Sequence, residues 1–146
     1  MGLPERVTLV TRTARNRCLY YLPERGADPG PGRPASYGER APKPADWLHA
    51  GLRHWPSQRV LVRGKTIQMR YQLLGPFVRE ELPERPLFLI VVKGMRRLVG
   101  KKKLHYKHRG PSFYLVSAVR SGGSWQFPFP IDTLLTWLWQ RWEIEV

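Results

Sequence analysis

The sequence predicts an α/β chain that is rich in β-strands and hairpins and carries one C-terminal helix. Three stretches predict it. In residues 59–73, Ile67, Met69, Tyr71 and Leu73 alternate with Thr66, Gln68, Arg70 and Gln72, the period of a strand with one buried face. The apolar stretches at 87–92 (LFLIVV) and 113–119 (FYLVSAV) lack that alternation and read as strands buried on both faces. Residues 132–146, DTLLTWLWQRWEIEV, contain no Gly or Pro and repeat leucine and tryptophan at helical spacing.

Composition sets the bounds. With 146 residues, 42% hydrophobic and 12% aromatic, the chain has the length of one domain and enough apolar side chains for a core, which excludes a disordered tail. Its 25 Lys and Arg against 11 Asp and Glu give a formal net charge of +14 and a pI near 10.8. Such a field favours polyanions, which names a class of partner and no activity. Cys18 is the single cysteine, so an intramolecular disulfide framework and a multi-cysteine zinc site are both excluded. Residues 1–17 hold no apolar run of signal-peptide length, and residues 87–92 are too few to span a bilayer. The expectation is a soluble, cytoplasmic protein with no membrane partner.

Taken in order, residues 7–10 begin an extended segment, with Val7 and Leu9 on one face and Thr8 and Val10 on the other, that continues to 19–22 as a strand near the edge of the core. Residues 23–44 are so rich in Gly and Pro that they predict a long loop. Within 46–54, DWLHAGLRH predicts a short helix capped at or just before Asp46 and ended by Pro56. A turn at Arg63, Gly64 and Lys65 makes the alternating stretch a one-sided hairpin. Residues 93–109, KGMRRLVGKKKLHYKHR, carry eight Lys or Arg and no acid, and predict a basic hairpin between the two buried strands, which should pair with each other. A Gly-rich turn then leads to the terminal helix. Asp132 after Pro130 predicts its N-cap. Leu134, Leu138, Arg141 and Glu145 fall on one stripe of that helix, and Leu135, Trp139, Trp142 and Val146 on another.

Several constellations fail the test of chemistry. Gly64-Lys65-Thr66 lacks the upstream glycine of a phosphate-binding loop, since Arg59 stands in its place. His105 with His108, and His49 with His54, have no carboxylate or thiolate at ligand spacing and read as solvated histidines. Ser117, Ser121, Ser124 and Cys18 have no partner that would make a nucleophile. Two-metal phosphoryl transfer needs several converging carboxylates, and the acids here are few and mostly in surface-like contexts. Glu145, one turn after Arg141 on an apolar helix, is the carboxylate placed like a site residue; the pair is equally a surface ion pair at i,i+4. The basic stretch, through Lys93, Arg96, Arg97, Lys101, Lys102, Lys103, Lys107 and Arg109, suits contact with a phosphate backbone; a solvated hairpin is the other reading.

VTLVTRTARNRCLYYLP, then GRPASYG, then strand, hairpin and strand, then WLWQRWEIEV together resemble the C-terminal part of the DDE transposases of bacterial insertion sequences. The resemblance runs through nearly the whole chain, and its most specific piece is the RW-x-IE form of the family's Tyr-x-x-Arg-x-x-x-Glu signature. It implies a partial ribonuclease H-like fold with an inserted β-region: one partial catalytic domain over 1–146, with a strand segment at 1–22, a Gly/Pro-rich loop with a short helix at 23–58, the β-region with its basic hairpin at 59–120, and a truncated helix at 131–146. It further implies that Arg141 is the signature arginine and Glu145 the third metal-binding acid of a Mg²⁺-dependent DNA cleavage and strand-transfer site. Leu138 replaces the signature tyrosine. The family's two catalytic aspartates precede the opening strand, so the expectation is a fragment without nuclease activity, in a bacterial, nucleoid-associated setting, with DNA as partner and self-association through exposed strand edges. A stand-alone, non-catalytic nucleic-acid-binding module is the alternative.

Overall fold

The computed structural model describes residues 8–23, 37–51, 54–62, 64–98 and 111–145, except for the side chains of 62, 65, 95–98 and 141–145. Two short strands come first, β1 (Val10–Arg12) and β2 (Tyr20–Tyr21), followed by a 3-10 turn (Pro44–His49). The long strands β3 (Ser57–Val62), β4 (Lys65–Arg79), β5 (Leu82–Leu98) and β6 (Ser112–Ser117) come next, then a hairpin of β7 (Val119–Ser121) and β8 (Ser124–Gln126), and the helix α1 (Ile131–Glu145). Every pairing is antiparallel, as short connections between sequential strands dictate. The main sheet runs β1-β6-β5-β4-β2, and β3 shares with β2 the outer edge of β4.

The apolar run at 87–92 forms the middle of β5 and is buried on both faces, as its lack of alternation predicts. On one face Ile90 and Val92 join Val60, Ile67, Met69, Tyr114 and Val116, and α1 covers them with Leu134, Leu135, Leu138 and Trp139. Each such side chain contributes about 1.5–3 kcal/mol when fully buried. On the other face Leu87, Leu89 and Val91 join Phe77, Phe113 and Leu115, and the cover is Leu19 and Ala41 with Trp47 and Leu48 of the 3-10 turn packed beside them. The α/β expectation therefore gives way to a mostly β architecture: an antiparallel sheet curled by bulges, with α1 as the α-helix among the described residues. A second helix is not needed, because irregular chain closes the other face.

Local expectations shift accordingly. The segment at 7–22 is two strands on opposite edges, β1 beside β6 and β2 beside β4, and the chain between them crosses the lower face with Leu19 buried. The predicted helix at 46–54 is the 3-10 turn instead; prolines at 44 and 56 confine it, and the Asp46 carboxylate accepts the Lys43 N–H at 2.9 Å from inside the turn. Strand β4 continues past Leu73 to Arg79, with Gly75 and Pro76 in a register shift where Pro76 forfeits no ladder bond. Gly75 has φ +118, and a Cβ there would stand 3.2 Å from the Leu87 carbonyl oxygen, so the bulge requires glycine. Asp132 is the second residue of α1 rather than its cap. Among the described residues no helix is long and apolar enough to cross a membrane.

Leu135 is fully buried between α1 and the sheet, whereas Leu61 is 71% exposed. Leu135→Ala is expected to lower the unfolding free energy by about 2–5 kcal/mol, and Leu61→Ser to change it by less than about 0.5 kcal/mol, both read from urea denaturation.

Candidate nucleic-acid interface

Among the described residues, β5 pairs with β6 as far as Val92 opposite Ser112, and with β4 through Gly94 opposite Arg70 to Leu98 opposite Thr66. Lys93 is the extra residue at the register shift between these two stretches. The first part of the predicted basic hairpin is therefore strand body, and the strand turns from apolar to basic at the bulge. The exposed Lys93 ammonium stands 5.1 Å from the centre of the Trp55 ring, a contact worth about 0.5–1 kcal/mol at an exposed site.

Alternation assigns the faces of this outer half of the sheet. Ile67 and Met69 are buried against the α1 side, so Gln68 and Arg70 belong to the opposite face, and their partners in β3, Arg59 and Ser57, belong there too. Arg59 and Arg70 are exposed, and Gln68 is close enough to Ser57 for a hydrogen bond at 3.4 Å. The result is a polar face bearing Arg59, Arg70 and Lys93, with no carboxylate among the residues just named. Point charges and forked donors are the groups that contact a phosphate backbone without reading sequence.

A second cationic corner lies at the far end of β4 and is self-neutralised. Arg17 forms an ion pair with Glu81. Burial holds the Arg79 guanidinium below its ordinary pKa, and Arg17 and Arg85 push the same way. Arg40 is held above its ordinary value, chiefly by its hydrogen bond with Tyr20. Interleaved acids and a half-buried arginine make this corner a poor landing site for a polyanion.

Of the predicted residues, Lys93 is the one whose side chain the structure describes. Arg96 and Arg97 belong to β5, opposite Gln68 and Ile67, with side chains outside the described set. Lys101, Lys102, Lys103, Lys107 and Arg109 lie outside the described residues, as do His105 and His108. Arg141 and Glu145 lie on α1, one and two turns beyond the buried Leu138, and their side chains are likewise outside the described set. Among the described residues no three His, Cys, Asp or Glu gather as a metal site. Sequence reading missed Arg59 and Arg70 as members of this basic face and Trp55 as the partner of Lys93. The alternation that puts Arg70 on the polar side of β4 carried that signal, whereas the pairing with β3 that brings Arg59 beside it is a tertiary fact. No family model, curated protein or solved structure matches the chain.

Replacing Arg70 and Lys93 together by glutamine is expected to weaken binding to a fluorescent DNA duplex and to flatten the slope of log K against log salt by roughly 0.9 for each phosphate no longer neutralised, measured by anisotropy between about 50 and 200 mM salt. The Arg17→Gln variant should retain the wild-type slope.

Proposed function

We propose that the chain is part of the catalytic region of a DDE-type transposase, one that binds DNA through its basic sheet face and contributes one acid to a metal-dependent cleavage and strand-transfer site in the intact protein. The observation that carries this reading is the WLWQRWEIEV signature: the helix it forms buries Leu138 and Trp139 in the core, and the spacing puts Arg141 and Glu145 on the stripe that continues from Leu138. A second observation supports it. The two upstream motifs pack together, with the Tyr20 and Tyr37 rings 4.5 Å apart and the Gly38 N–H donating to the Tyr21 carbonyl at 2.7 Å. A Cβ on Gly38 would approach the Leu22 carbonyl oxygen to 2.8 Å, a physical reason for glycine in the YG of that motif.

In this reading the antiparallel strands are the family's inserted β-region, and α1 is the helix of a ribonuclease H-like core. Bound Mg²⁺ would supply activation of the attacking hydroxyl and stabilisation of charge on the leaving oxygen. Glu145 would hold it as one ligand. A single carboxylate does not make a two-ion site, and the described residues of this chain offer no set of three, so no catalytic step is assigned to them. Arg141, one turn before Glu145, would orient that carboxylate. The stand-alone binding module shares the basic face and differs in giving Glu145 no metal role.

Purified protein is expected to leave supercoiled plasmid intact in the presence of Mg²⁺; nicking that Glu145→Ala abolishes would contradict the reading of this chain as inactive by itself. Translation of the DNA on both sides of the coding segment separates the two readings. An aspartate-bearing strand upstream and a continuation of the helix downstream are expected for the transposase, and intact unrelated genes on both sides would favour the module.

A further inference from the structure

Among the described residues, the edges of the main sheet are closed unequally. An edge strand is a template for a foreign strand unless it is short, charged, bulged or covered. β1 has three residues. β2 is covered by the chain at 38–40: the Tyr21 N–H donates to the Glu39 carbonyl at 2.8 Å, the Gly38 N–H donates to the Tyr21 carbonyl at 2.7 Å, and Tyr20 bridges to Arg40. β3 has six residues, contains no proline, pairs with β4 without a register shift, and has no described strand on its other side. The parity of its hydrogen bonds shows what that side presents. The Tyr71 N–H donates to the Pro56 carbonyl at 3.0 Å, so Gln58, Val60 and Val62 turn their backbone groups toward β4, and Ser57, Arg59 and Leu61 turn theirs outward. The side chains of these three belong to the face away from α1, where Arg59 is exposed and Leu61 is 71% exposed.

Charge selects the strand that fills this edge. A second copy of the chain would bring another formal charge of +14 and a second Arg59 to the same ladder, and like charges there repel. Arg59 thus guards the edge against its own kind and leaves it open to the opposite sign. A carboxylate directly across from Arg59 strengthens pairing by roughly 2–5-fold. Adjacent strands lie about 4.8 Å apart, so Arg70 on β4 stands roughly 10 Å from an added strand and Lys93 on β5 roughly 14 Å. The screening length at 0.1 M salt is about 10 Å, so Arg70 adds little and Lys93 less. Backbone bonds and Arg59 carry the interaction.

We propose that β3 accepts an added antiparallel strand from a partner protein, an extended acidic segment whose carboxylates share the face of Arg59. Antiparallel addition continues the pattern of every pairing in the sheet. The partner is held by outward N–H and carbonyl groups of the edge, which the nucleic-acid reading does not use, so the two stand or fall separately.

The probe is a short fluorescent peptide alternating glutamate and threonine, titrated with the full chain and read by anisotropy. With glutamate opposite Arg59, the glutamate N–H groups face β3 and the threonine N–H groups face away. Methylating the glutamate nitrogens, which keeps the charge, is expected to weaken binding about 10-fold or more, since several hydrogen bonds are lost. Methylating the threonine nitrogens instead should leave it near the original value. In the protein, Leu61→Pro removes one outward N–H and no bond to β4, and is expected to weaken the peptide about 3–10-fold. Leu61→Ser keeps that N–H and is expected to bind as the wild type does, and urea midpoints check that both variants fold. Affinity for a DNA duplex should be the same for Leu61→Pro and the wild type. Equal binding of the glutamate-methylated and unmethylated peptides would reduce the effect to charge and overturn strand addition, even if Leu61→Pro fails to fold. DNA binding without peptide binding would overturn the proposal and leave the nucleic-acid reading standing, and peptide binding without DNA binding would do the reverse. A wild-type dimer in sedimentation that Leu61→Pro turns into a monomer would give the edge to a second copy and overturn the acidic partner.

Discussion

The structure depends on one constraint: the middle of β5 is apolar on both faces. Leu87, Leu89 and Val91 cannot be buried by whatever buries Phe88, Ile90 and Val92, so the chain must supply two covers. One is α1, whose leucines and Trp139 close the face that holds Ile67, Met69 and Val60. The other is an irregular segment carrying Leu19, Ala41 and the 3-10 turn, threaded beneath the sheet between its two edges. Removing either cover would expose a row of aliphatic side chains to water and open the sheet to aggregation.

The same strand divides core from charge. From Leu87 to Val92 it is flanked by β6 and β4; at Lys93 it bulges and continues beside β4 into a basic sequence. The arrangement of the basic side chains follows from the register. Arg70 and Arg59 face away from α1 because Met69 and Val60 face toward it, and Lys93 joins them over Trp55. A polycation with a pI near 10.8 thereby carries Arg59, Arg70 and Lys93 on one face of the sheet's outer half, while the arginines at the far end of β4 are held by Glu81, Tyr20 and partial burial.

Much of this was legible in the chain itself. The unalternating LFLIVV run announced a strand buried twice over, the alternation from Thr66 to Leu73 announced a strand with one wet face, and the Gly/Pro-free terminal segment announced its helix. The second cover was not legible, because a Pro-rich coil owes its burial to Leu19 and Trp47 meeting the sheet and carries no period of its own. Prolines at 44 and 56 have the spacing of helix boundaries, yet they compress the segment between them into a 3-10 turn. Gly75 and Pro76 are turn residues by composition, and only pairing with β5 absorbs them as a bulge. The site was legible in half. Charge density pointed to residues 93–109, but Arg59 comes beside Gln68 and Arg70 only when β3 pairs with β4. The alternation from Thr66 to Leu73 was the signal available for Arg70.

The central claim is that nucleic acid lies across one end of the sheet, and arginine footprinting tests it most directly. The chain is modified by phenylglyoxal with and without duplex DNA, and the adducts are mapped by peptide mass. Arg59 and Arg70 are expected to be protected by DNA, while Arg40 and Arg120, which lies 5.7 Å from the Trp125 ring beyond the opposite end of β6, keep their reactivity. Protection of Arg40 and Arg120 with Arg59 and Arg70 left reactive, or no protection at all, would contradict the account.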